Sequence, residues 1–600
     1  EWSQAYLGSG SDDSSGRAVG WDWLGLNMLD GSALMLFQMR RRDGQLFWGN
    51  LTGRLINPLD TAEGSIWIID DIDEQRHAQT QLHAVVQEKQ ALFDHAMVGK
   101  IRQEAFHRSQ VMQTLSQLTE DVGPRLTNSS GMAKANAWAR ERLSGWGLAN
   151  VHDEAFGPFG RGWEFRTASV EVLAPRPFPL HALPKAWTPG TAGPVEGEAM
   201  AVTLKTQADL DKHRGKLRGK ILFLDAAREY KPGDKPDSDR YDNHELDELR
   251  DFTIPKDRDP VKRAKDAKER LDQLALTTAT HTVLAEEGAL ATVSISSWDN
   301  GIIRLGGGGS RKAGEAVGVP ALTMMAEHYN TVMRALERKQ AMRLRVNVDA
   351  RFTGDTDEMG YSTFAEIPGH GSLKDEVVII GAHLDSWHAG TGAADNGAGV
   401  AVMMEAMRIL KATGAKPRRT IRIALWGGEE QGLLGSSDYV TRHYGGWPEP
   451  TDPQQKKLPL SLREPTGPLQ RKRGYDTVAA YFNYDNGGGR IRGIYTQENT
   501  AVAPIFAAWL APLNDVGATT VTHRNTGSTD HVPFDRIGLP GFQFVQDRLD
   551  YFSNVHHSHL DVLDHVVPED LKQSAAVVAT FAWHAAMREE KLPRMPVREP

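Results

Sequence analysis

The sequence predicts an α/β fold, a mixed, mostly parallel sheet flanked by helices. Residues 346–590 alternate apolar runs of strand length with segments of helical periodicity. The runs VVIIGAH, TIRIALW and VAAYFN are apolar at nearly every position, which is typical of parallel strands buried on both faces. Polar residues or glycines follow each run. Because ligands of open α/β sheets bind at the carboxyl ends of the strands, these turns are the candidate site.

The first hundred residues differ in sequence pattern from the rest of the chain. Residues 1–42 are predicted to form one β-hairpin with Asp-Gly at its turn, and they resemble a fragment of the lipocalin-like hydratases. Residues 43–100 resemble the last strands of a PAS sensor domain followed by a connecting helix. Together they predict a small α+β leader. Because neither fragment is a whole domain that could enclose a ligand, we expect a fused leader and not a sensor.

The middle of the chain divides into two parts. Residues 101–185 open with two helical stretches, the second of which closes at Gly147. Residues 186–345 are predicted to be β-rich, with GKILFLDA and EEGALATVSISS as strands. A polar stretch from Arg228 to Arg270 interrupts them, and we expect it to be a solvated excursion. Residues 591–600 are predicted to be a tail.

The composition excludes several classes of function. With 600 residues, 40% hydrophobic and 24% charged, the chain has an ordinary globular composition and the length of several domains. No run reaches the ~18 apolar residues of a membrane span. The net charge of −9, without a basic stripe, argues against nucleic acid as a partner. Since the chain has no cysteine, any metal must be held by His, Asp and Glu.

The first candidate residues follow the strand VVIIGAH. His383 ends that strand, where it can reach a ligand at the sheet edge, and Asp385 is placed to accept the second ring N–H. A loop histidine beside a turn aspartate would give the same pattern.

Asp395 stands in a glycine-rich turn, GTGAADNGAG, just before a helix. An aspartate at this position commonly caps the helix N-terminus. Capping does not account for Gly392, Gly397 and Gly399 around it, which indicate that the backbone passes close to another group.

Glu429 and Glu430 follow the strand TIRIALW after a Gly-Gly break. Adjacent side chains point in different directions, so one carboxylate can bind a metal while the other faces a water. Two carboxylates in a dry crevice raise each other's pKa, a cost that a divalent cation removes. Two surface glutamates at the start of a helix are the plain alternative.

Asp485 follows the third strand, and the loop HHSH supplies His556, His557 and His559. A His-rich tract alone is a weak metal signal. A much stronger metal signal is that two His, two Asp and two Glu all fall at strand ends or glycine turns. Imidazole and carboxylate ligands without thiolate suit Zn²⁺, Co²⁺ or Mn²⁺. Two such cations need a bridging carboxylate and would activate a water between them, and the spare carboxylate would serve as general base.

Five ordered motifs resemble those of the M28 family of co-catalytic zinc metallopeptidases, and in particular its carboxypeptidase Q-like branch. They are HLDSWHAGTGAADNGAG, LWGGEEQGLLG, FNYDNGGG, GSTDHVPFDRIGLPGFQF and HHSHLDVLD. The resemblance covers about residues 101–590. It implies the zinc exopeptidase fold, with residues 101–185 and 346–590 as the peptidase domain and residues 186–345 as an inserted protease-associated domain.

The resemblance also implies a site with two zinc ions, for which Co²⁺ or Mn²⁺ could substitute. His383 and Asp485 would hold one ion. Glu430 and His557 would hold the other, and Asp395 would bridge the two.

Three further roles follow from the resemblance. Glu429 would be the general base, and Asp385 would orient His383. His556 stands where many M28 members have the tyrosine that polarises the scissile carbonyl, so it would take that role; a plain loop histidine is the alternative. The peptide bond after Asp395 is expected to be cis.

The implied function is an exopeptidase of the aminopeptidase or dipeptidase type, acting on dipeptides or short peptides. Two alternatives stay open, a non-catalytic M28-like binding protein and a single-zinc, cyclase-like acyltransferase on the same fold. The family is usually exported, whereas the first residues, EWSQAYLGSG, lack the basic and apolar segments of a secretory signal. We expect a peptide substrate and no nucleic-acid partner or membrane span, and a homodimer is compatible with the family.

Overall fold

The computed structural model describes the backbone of residues 21–27, 32–40, 46–55 and 65–71. It also describes residues 95–597 except 235, 255–259, 459–461 and 465, with no side-chain description for residues 260–264. The chain divides into two compact units, Glu1–Ala96 and Met97–Pro600.

The N-terminal unit contains one antiparallel sheet in the order β1-β2-β3-β4. Its strands are β1 (Trp21–Asn27), β2 (Ser32–Arg40), β3 (Leu46–Leu55) and β4 (Ser65–Asp71). The pairing of β1 with β2 agrees with the predicted hairpin, whose Asp-Gly turn lies outside the described residues. Because β2 also pairs with β3, strands from both predicted fragments join one sheet.

The second unit contains most of the described elements. Its strands are β5 (Ala149–Gly160), β6 (Trp163–Ala174), β7 (Phe178–Leu180), β8 (Ala182–Pro184), β9 (Val195–Ala201), β10 (Lys220–Phe223), β11 (Ala291–Ile295), β12 (Ala321–Met324), β13 (Arg343–Phe352), β14 (Glu358–Ile367), β15 (Val377–His383), β16 (Thr420–Trp426), β17 (Gly445–Gly446), β18 (Gln470–Arg471), β19 (Val478–Asn483), β20 (Ile491–Tyr495), β21 (Thr520–Thr522) and β22 (Gly541–Gln546). Its helices are α1 (described over 95–107), α2 (Val111–Ser116), α3 (Ser130–Gly145), α4 (Gln207–His213), α5 (Asn243–Arg250), α6 (Pro260–Glu287), α7 (Ala326–Glu337), α8 (Ala398–Ala412), α9 (Leu434–His443), α10 (Pro453–Lys457), α11 (Ala503–Leu510), α12 (Val532–Arg536) and α13 (Pro568–Met587). Among the described helices, none has the length and apolar content needed to cross a bilayer.

The sheet that carries the candidate site has eight strands in the order β21-β20-β22-β19-β15-β16-β14-β5. Its four central strands, β22, β19, β15 and β16, run parallel to one another, and antiparallel pairings occur on both sides of them. Helices α8 and α13 pack against it and bury an apolar core. The predicted α/β class, with a mixed, mostly parallel sheet flanked by helices, is confirmed.

Helix α8 shows how the core is built around this sheet. Its sequence, AGVAVMMEAMRILKA, is apolar on nearly all sides, as expected of a helix enclosed by other elements. The charged pair that it buries is satisfied internally, since Arg408 Nε lies 2.7 Å from Glu405 Oε2. Helix α13 begins at Pro568 with two acidic residues in its first turn, as predicted.

A second eight-stranded sheet has the order β7-β6-β13-β9-β10-β11-β12-β8. Strands β9 to β12 are parallel neighbours, and α7 packs on this sheet. The sheet includes strands from Trp163 to Pro184 and extends to Phe352. It therefore reaches beyond residues 186–345 on both sides, because β6 pairs with β13, β8 pairs with β12, and β7 pairs with β6.

Part of the polar stretch that was predicted to be a solvated excursion is docked on the first sheet. Arg240 Nη1 lies 2.9 Å from Asp547 Oδ2 and 2.7 Å from Asp570 Oδ2, and both carboxylates are buried. The backbone N–H of Asp239 donates to Leu549 O at 3.1 Å, and the two residues form an isolated antiparallel β-bridge. The expectation was wrong here, because the charges along this stretch meet buried partners more than 300 residues away.

Candidate metal centre

The carboxyl ends of the parallel strands converge on one region, as their direction requires. Strand β15 ends at His383, β16 is followed by Glu429 and Glu430, and β19 by Asp485. The loop after β22 carries His556 and His557. With Asp395, these side chains line one cavity of about 680 Å³. The structure therefore brings together all five predicted ligands, the predicted base and His556.

His383 faces two carboxylates. Its Nε2 lies 3.3 Å from Asp395 Oδ1 and 3.2 Å from Asp485 Oδ1. Its side chain is 1% exposed, and the neighbouring carboxylates outweigh the effect of burial and raise its pKa well above the usual value. His383, Asp395 and Asp485 form one group that could hold a metal ion.

His557 faces the opposite oxygen of Asp395. Its Nε2 lies 3.3 Å from Asp395 Oδ2 and 3.0 Å from Glu430 Oε2. Asp395, His556 and His557 form a second possible metal-binding group. Asp395 thus belongs to both groups, and its two oxygens face two different imidazoles.

The turn that carries Asp395 is unlike a helix cap. The N-cap of α8 is Gly397, and Asp395 lies in an irregular turn, Ala393–Gly397, with its carboxylate directed into the site. The peptide bond after Asp395 is cis, as predicted. A Cβ at Gly399 would lie 2.6 Å from the carbonyl oxygen of Tyr484, so this glycine allows close backbone packing.

The donor set fits a divalent cation. Zn–N and Zn–O bonds of about 2.0–2.2 Å in a tetrahedron place ligand atoms about 3.3 Å apart, close to the separations found here. Asp395 Oδ2 and Glu430 Oε1 are buried and accept no hydrogen bond from any residue that the structure describes. Such atoms are costly to bury without a partner, and a cation would supply one.

The raised pKa values of the two glutamates also favour a bound cation. Burial raises the pKa of Glu430 well above its usual range, and the Asp395 carboxylate adds to the rise. Burial also raises the pKa of Glu429, with a further contribution from Asp485. Crowded buried carboxylates of this kind become favourable as anions only beside positive charge.

Asp385 has a different contact from the one predicted. Its carboxylate oxygen Oδ1 lies 3.8 Å from His383 Nδ1, and the ring instead hydrogen bonds to the Asp385 backbone oxygen at 2.9 Å. The carboxylate accepts the backbone N–H groups of Glu429 at 3.2 Å and Glu430 at 3.3 Å, and the Thr127 hydroxyl at 2.9 Å. Asp385 therefore ties the loop after β15 to the turn that carries the two glutamates.

Arg125 was not predicted as part of the site. Its guanidinium is buried and donates to four backbone oxygens, those of Gly123, Leu384, Thr391 and Gly392, at 2.7–3.1 Å. Three of these oxygens belong to the loop between His383 and Asp395. These three contacts span about 260 residues, so only the folded chain reveals them.

Replacing Arg125 with Met is expected to lower the free energy of unfolding by at least ~3 kcal/mol, because several buried carbonyls lose their donors. Urea denaturation followed by tryptophan fluorescence measures the change. The exposed Arg166 provides the matched control, since its replacement with Met should shift stability by less than ~0.5 kcal/mol. Equal effects of the two substitutions would contradict the assigned role.

Asp561, in the HHSHLD motif, is the other site residue that was not predicted. Its buried carboxylate accepts the backbone N–H of Ala394 at 2.6 Å and that of Asp395 at 3.2 Å. It therefore holds the backbone of the residue that is shared by the two possible metal-binding groups. Its position directly after the histidine loop was the signal that could have identified it.

Replacing Asp561 with Ala is expected to weaken zinc binding by about 10–100-fold, as is usual when a residue that orients a ligand is lost. Competition with a chelator of known affinity measures the effect. Asp564, three residues away and exposed, is the control, and Asp564→Ala should leave zinc affinity unchanged. Unaltered zinc affinity in Asp561→Ala would contradict the assignment.

The chain is similar to known peptidases. Residues 362–582 match peptidase family M28. Carboxypeptidase Q from Pongo abelii is 27% identical over 507 residues, which cover 84% of this chain and 90% of that protein. Aminopeptidase YwaD from Bacillus subtilis (strain 168) is 25% identical over 289 residues, covering 47% of this chain and 54% of that protein.

A solved structure shares the architecture. The crystal structure of a peptidase M28 precursor from Shewanella amazonensis SB2B superposes with a TM-score of 0.57 at 25% identity, and covers 84% of this chain and all of that one. The family match includes β15, β16, β19 and β22 and each of the predicted metal ligands. Residues 362–582 are thus identified as a domain of peptidase family M28, a family of zinc-dependent metallopeptidases.

Proposed function

We propose that the protein is a co-catalytic dinuclear zinc exopeptidase that hydrolyses dipeptides or short peptides. The observation that carries the proposal is the position of Asp395. Its Oδ1 lies 3.3 Å from Nε2 of His383 and its Oδ2 lies 3.3 Å from Nε2 of His557. A carboxylate with one oxygen toward each imidazole has the geometry of a bridging ligand.

In this proposal, His383 and Asp485 would hold one zinc ion, and Glu430 and His557 would hold the other, with Co²⁺ or Mn²⁺ as substitutes. We assign Glu430, and not His556, as a ligand. Glu430 Oε2 lies 3.0 Å from His557 Nε2, whereas His556 Nε2 lies 3.9 Å from Asp395 Oδ2.

Bound zinc would acidify a water and polarise the scissile carbonyl. The Glu429 carboxylate takes a proton from the attacking water and delivers it to the nitrogen of the leaving amine. His556 donates a hydrogen bond to the carbonyl oxygen as negative charge develops there. Asp385 fixes the turn of the two glutamates through their backbone N–H groups.

Two considerations support action at a chain end. Relatives named carboxypeptidase Q and aminopeptidase YwaD are, by name, enzymes that act on chain ends. The cavity of about 680 Å³ lies within the usual range for small ligands. We further propose that residues 186–345 belong to a protease-associated insertion. A homodimer stays a prediction.

A substrate panel tests the proposal. Unblocked dipeptides, aminoacyl amides and N-acetylated dipeptides are assayed on zinc-loaded protein with bound metal counted on the same sample. We expect hydrolysis of at least one of the first two classes and its loss on acetylation. No hydrolysis of any compound by the zinc-loaded protein would contradict the proposal and favour a non-catalytic binding protein.

A further inference from the structure

The second sheet sends one loop to the candidate metal centre. The loop between β11 and β12 pairs with the histidine loop, where Arg304 forms a β-bridge with Ser558. The Leu305 N–H donates to His557 O at 2.8 Å, and the His559 N–H donates to Ile303 O at 3.2 Å. This backbone pairing places the Arg304 side chain beside His556.

The Arg304 guanidinium holds His556 at two points. Its Nη2 lies 3.0 Å from His556 Nδ1, and its Nε donates to the His556 backbone oxygen at 3.2 Å. The guanidinium also stacks on the Trp298 ring, at 5.3 Å from the ring centre. Arginine can only donate, so Nδ1 must accept with its lone pair. In the neutral ring the proton is then on Nε2.

The ring of His556 is fixed with Nε2 toward the site. It stacks on His557 with ring centres 3.7 Å apart and packs against Tyr551 at 5.0 Å. Its side chain is 25% exposed and lines the cavity. An Nε2–H group here is available to a substrate oxygen, whereas an Nδ1–H tautomer would present a lone pair that cannot stabilise negative charge.

We propose that Arg304 is a positioning residue for peptide hydrolysis, because it keeps His556 in the tautomer that donates from Nε2. The inference rests on the proposed function for its catalytic consequence, but the tautomer itself is independent of activity. It also gives the second sheet a direct part in the reaction, through one side chain and the backbone pairing that places it.

The tautomer is tested by NMR of zinc-loaded protein labelled with ¹⁵N-histidine. His556 is identified among the 21 histidines as the signal pair lost in His556→Gln. We expect an unprotonated Nδ1 and a protonated Nε2 in the unsubstituted protein, and a mixture of tautomers in Arg304→Ala. A protonated Nδ1 in the unsubstituted protein, or an unchanged signal pair in Arg304→Ala, would overturn the inference whether or not the protein hydrolyses peptides.

Kinetics test the catalytic consequence. Arg304→Ala is expected to lower kcat by about 10–100-fold with KM and zinc content little changed, and Arg304→Lys should recover part of the loss. In a double-mutant cycle, adding Arg304→Ala to His556→Ala should cause little further loss, since both act through one group. An additive double mutant, or zinc loss in Arg304→Ala, would overturn the role.

Arg311 supplies the matched control. It also joins the two sheets, donating from Nε to Phe159 O at 2.7 Å and stacking on the Phe159 ring, but it does not contact the histidine loop. Arg311→Ala should leave kcat and the His556 signals unchanged. If Arg311→Ala lowers kcat as much as Arg304→Ala does, Arg304 acts only by docking the sheets and the inference fails. Absence of hydrolysis by the unsubstituted protein would instead contradict the proposed function, and the NMR result would still decide the tautomer.

Discussion

Replacing Glu429 with Gln should lower kcat by about 10³–10⁴-fold while zinc content and the fold are unchanged. The amide is nearly the same size as the carboxylate but cannot accept a proton from water. Glu429 lines the cavity and shares its turn with Glu430, yet the two carboxylates have different surroundings. Glu430 is 3.0 Å from the ring of His557, and the assigned metal contacts do not involve Glu429.

The adjacent glutamate provides the control for this experiment. Glu430→Gln removes an assigned ligand and should therefore lose zinc together with activity. Steady-state kinetics and metal analysis on the same samples separate the two effects. Persistent hydrolysis in Glu429→Gln, or zinc loss equal to that of Glu430→Gln, would show that the division of roles is wrong.

Replacing Asp395 with Asn is the second substitution with a large expected effect. The amide retains one oxygen, so it can bind one of the two zinc ions but cannot bridge both. We expect the protein to retain about one zinc ion per chain and to lose more than ~10²-fold in activity, because a two-metal site depends on its bridge. Metal analysis after gel filtration, together with the dipeptide assay, measures both effects.

Asp485→Asn separates the bridge from an ordinary ligand. Asp485 Oδ1 lies 3.2 Å from His383 Nε2, so its substitution should weaken zinc binding on that side and leave the Glu430 and His557 side intact. Adding excess zinc should therefore restore more activity to Asp485→Asn than to Asp395→Asn. Equal recovery of the two variants would contradict a bridging role for Asp395.

The ligands could be predicted from the sequence because strand direction places them. His383, Glu430 and Asp485 each follow an apolar strand, and parallel strands bring their carboxyl ends to one edge of a sheet. The glycine-rich turn indicated Asp395, whereas the histidine loop offered three candidates and the resemblance to the M28 family selected His557. These signals are local in sequence, and the structure keeps the five residues together.

The supporting contacts could not be predicted, because they join distant parts of the chain. Arg304 meets His556 across 252 residues, and Arg125 meets Leu384 across 259. The role of Asp385 differs from the predicted one for a finer reason. Whether its carboxylate or its backbone oxygen meets His383 depends on the path of the loop, which residue spacing does not determine.

Which strands belong to the second sheet could not be predicted from the sequence either. Strands β7 and β8 have only three residues each, and short apolar segments do not reveal which sheet they will join. The docking of Arg240 depends on buried carboxylates of Asp547 and Asp570 that lie far along the chain. A charge-rich composition alone predicts a segment surrounded by solvent. Here Arg240 instead forms ion pairs with buried carboxylates.

A zinc titration of the metal-free protein is the most direct test of the proposal that Asp395 joins two zinc ions in one hydrolytic site. Dipeptide hydrolysis and bound zinc are measured together at each addition. We expect activity to reach its plateau at about two zinc ions per chain. A plateau at about one zinc ion per chain, as expected of a single-zinc acyltransferase-like site, would contradict the proposal.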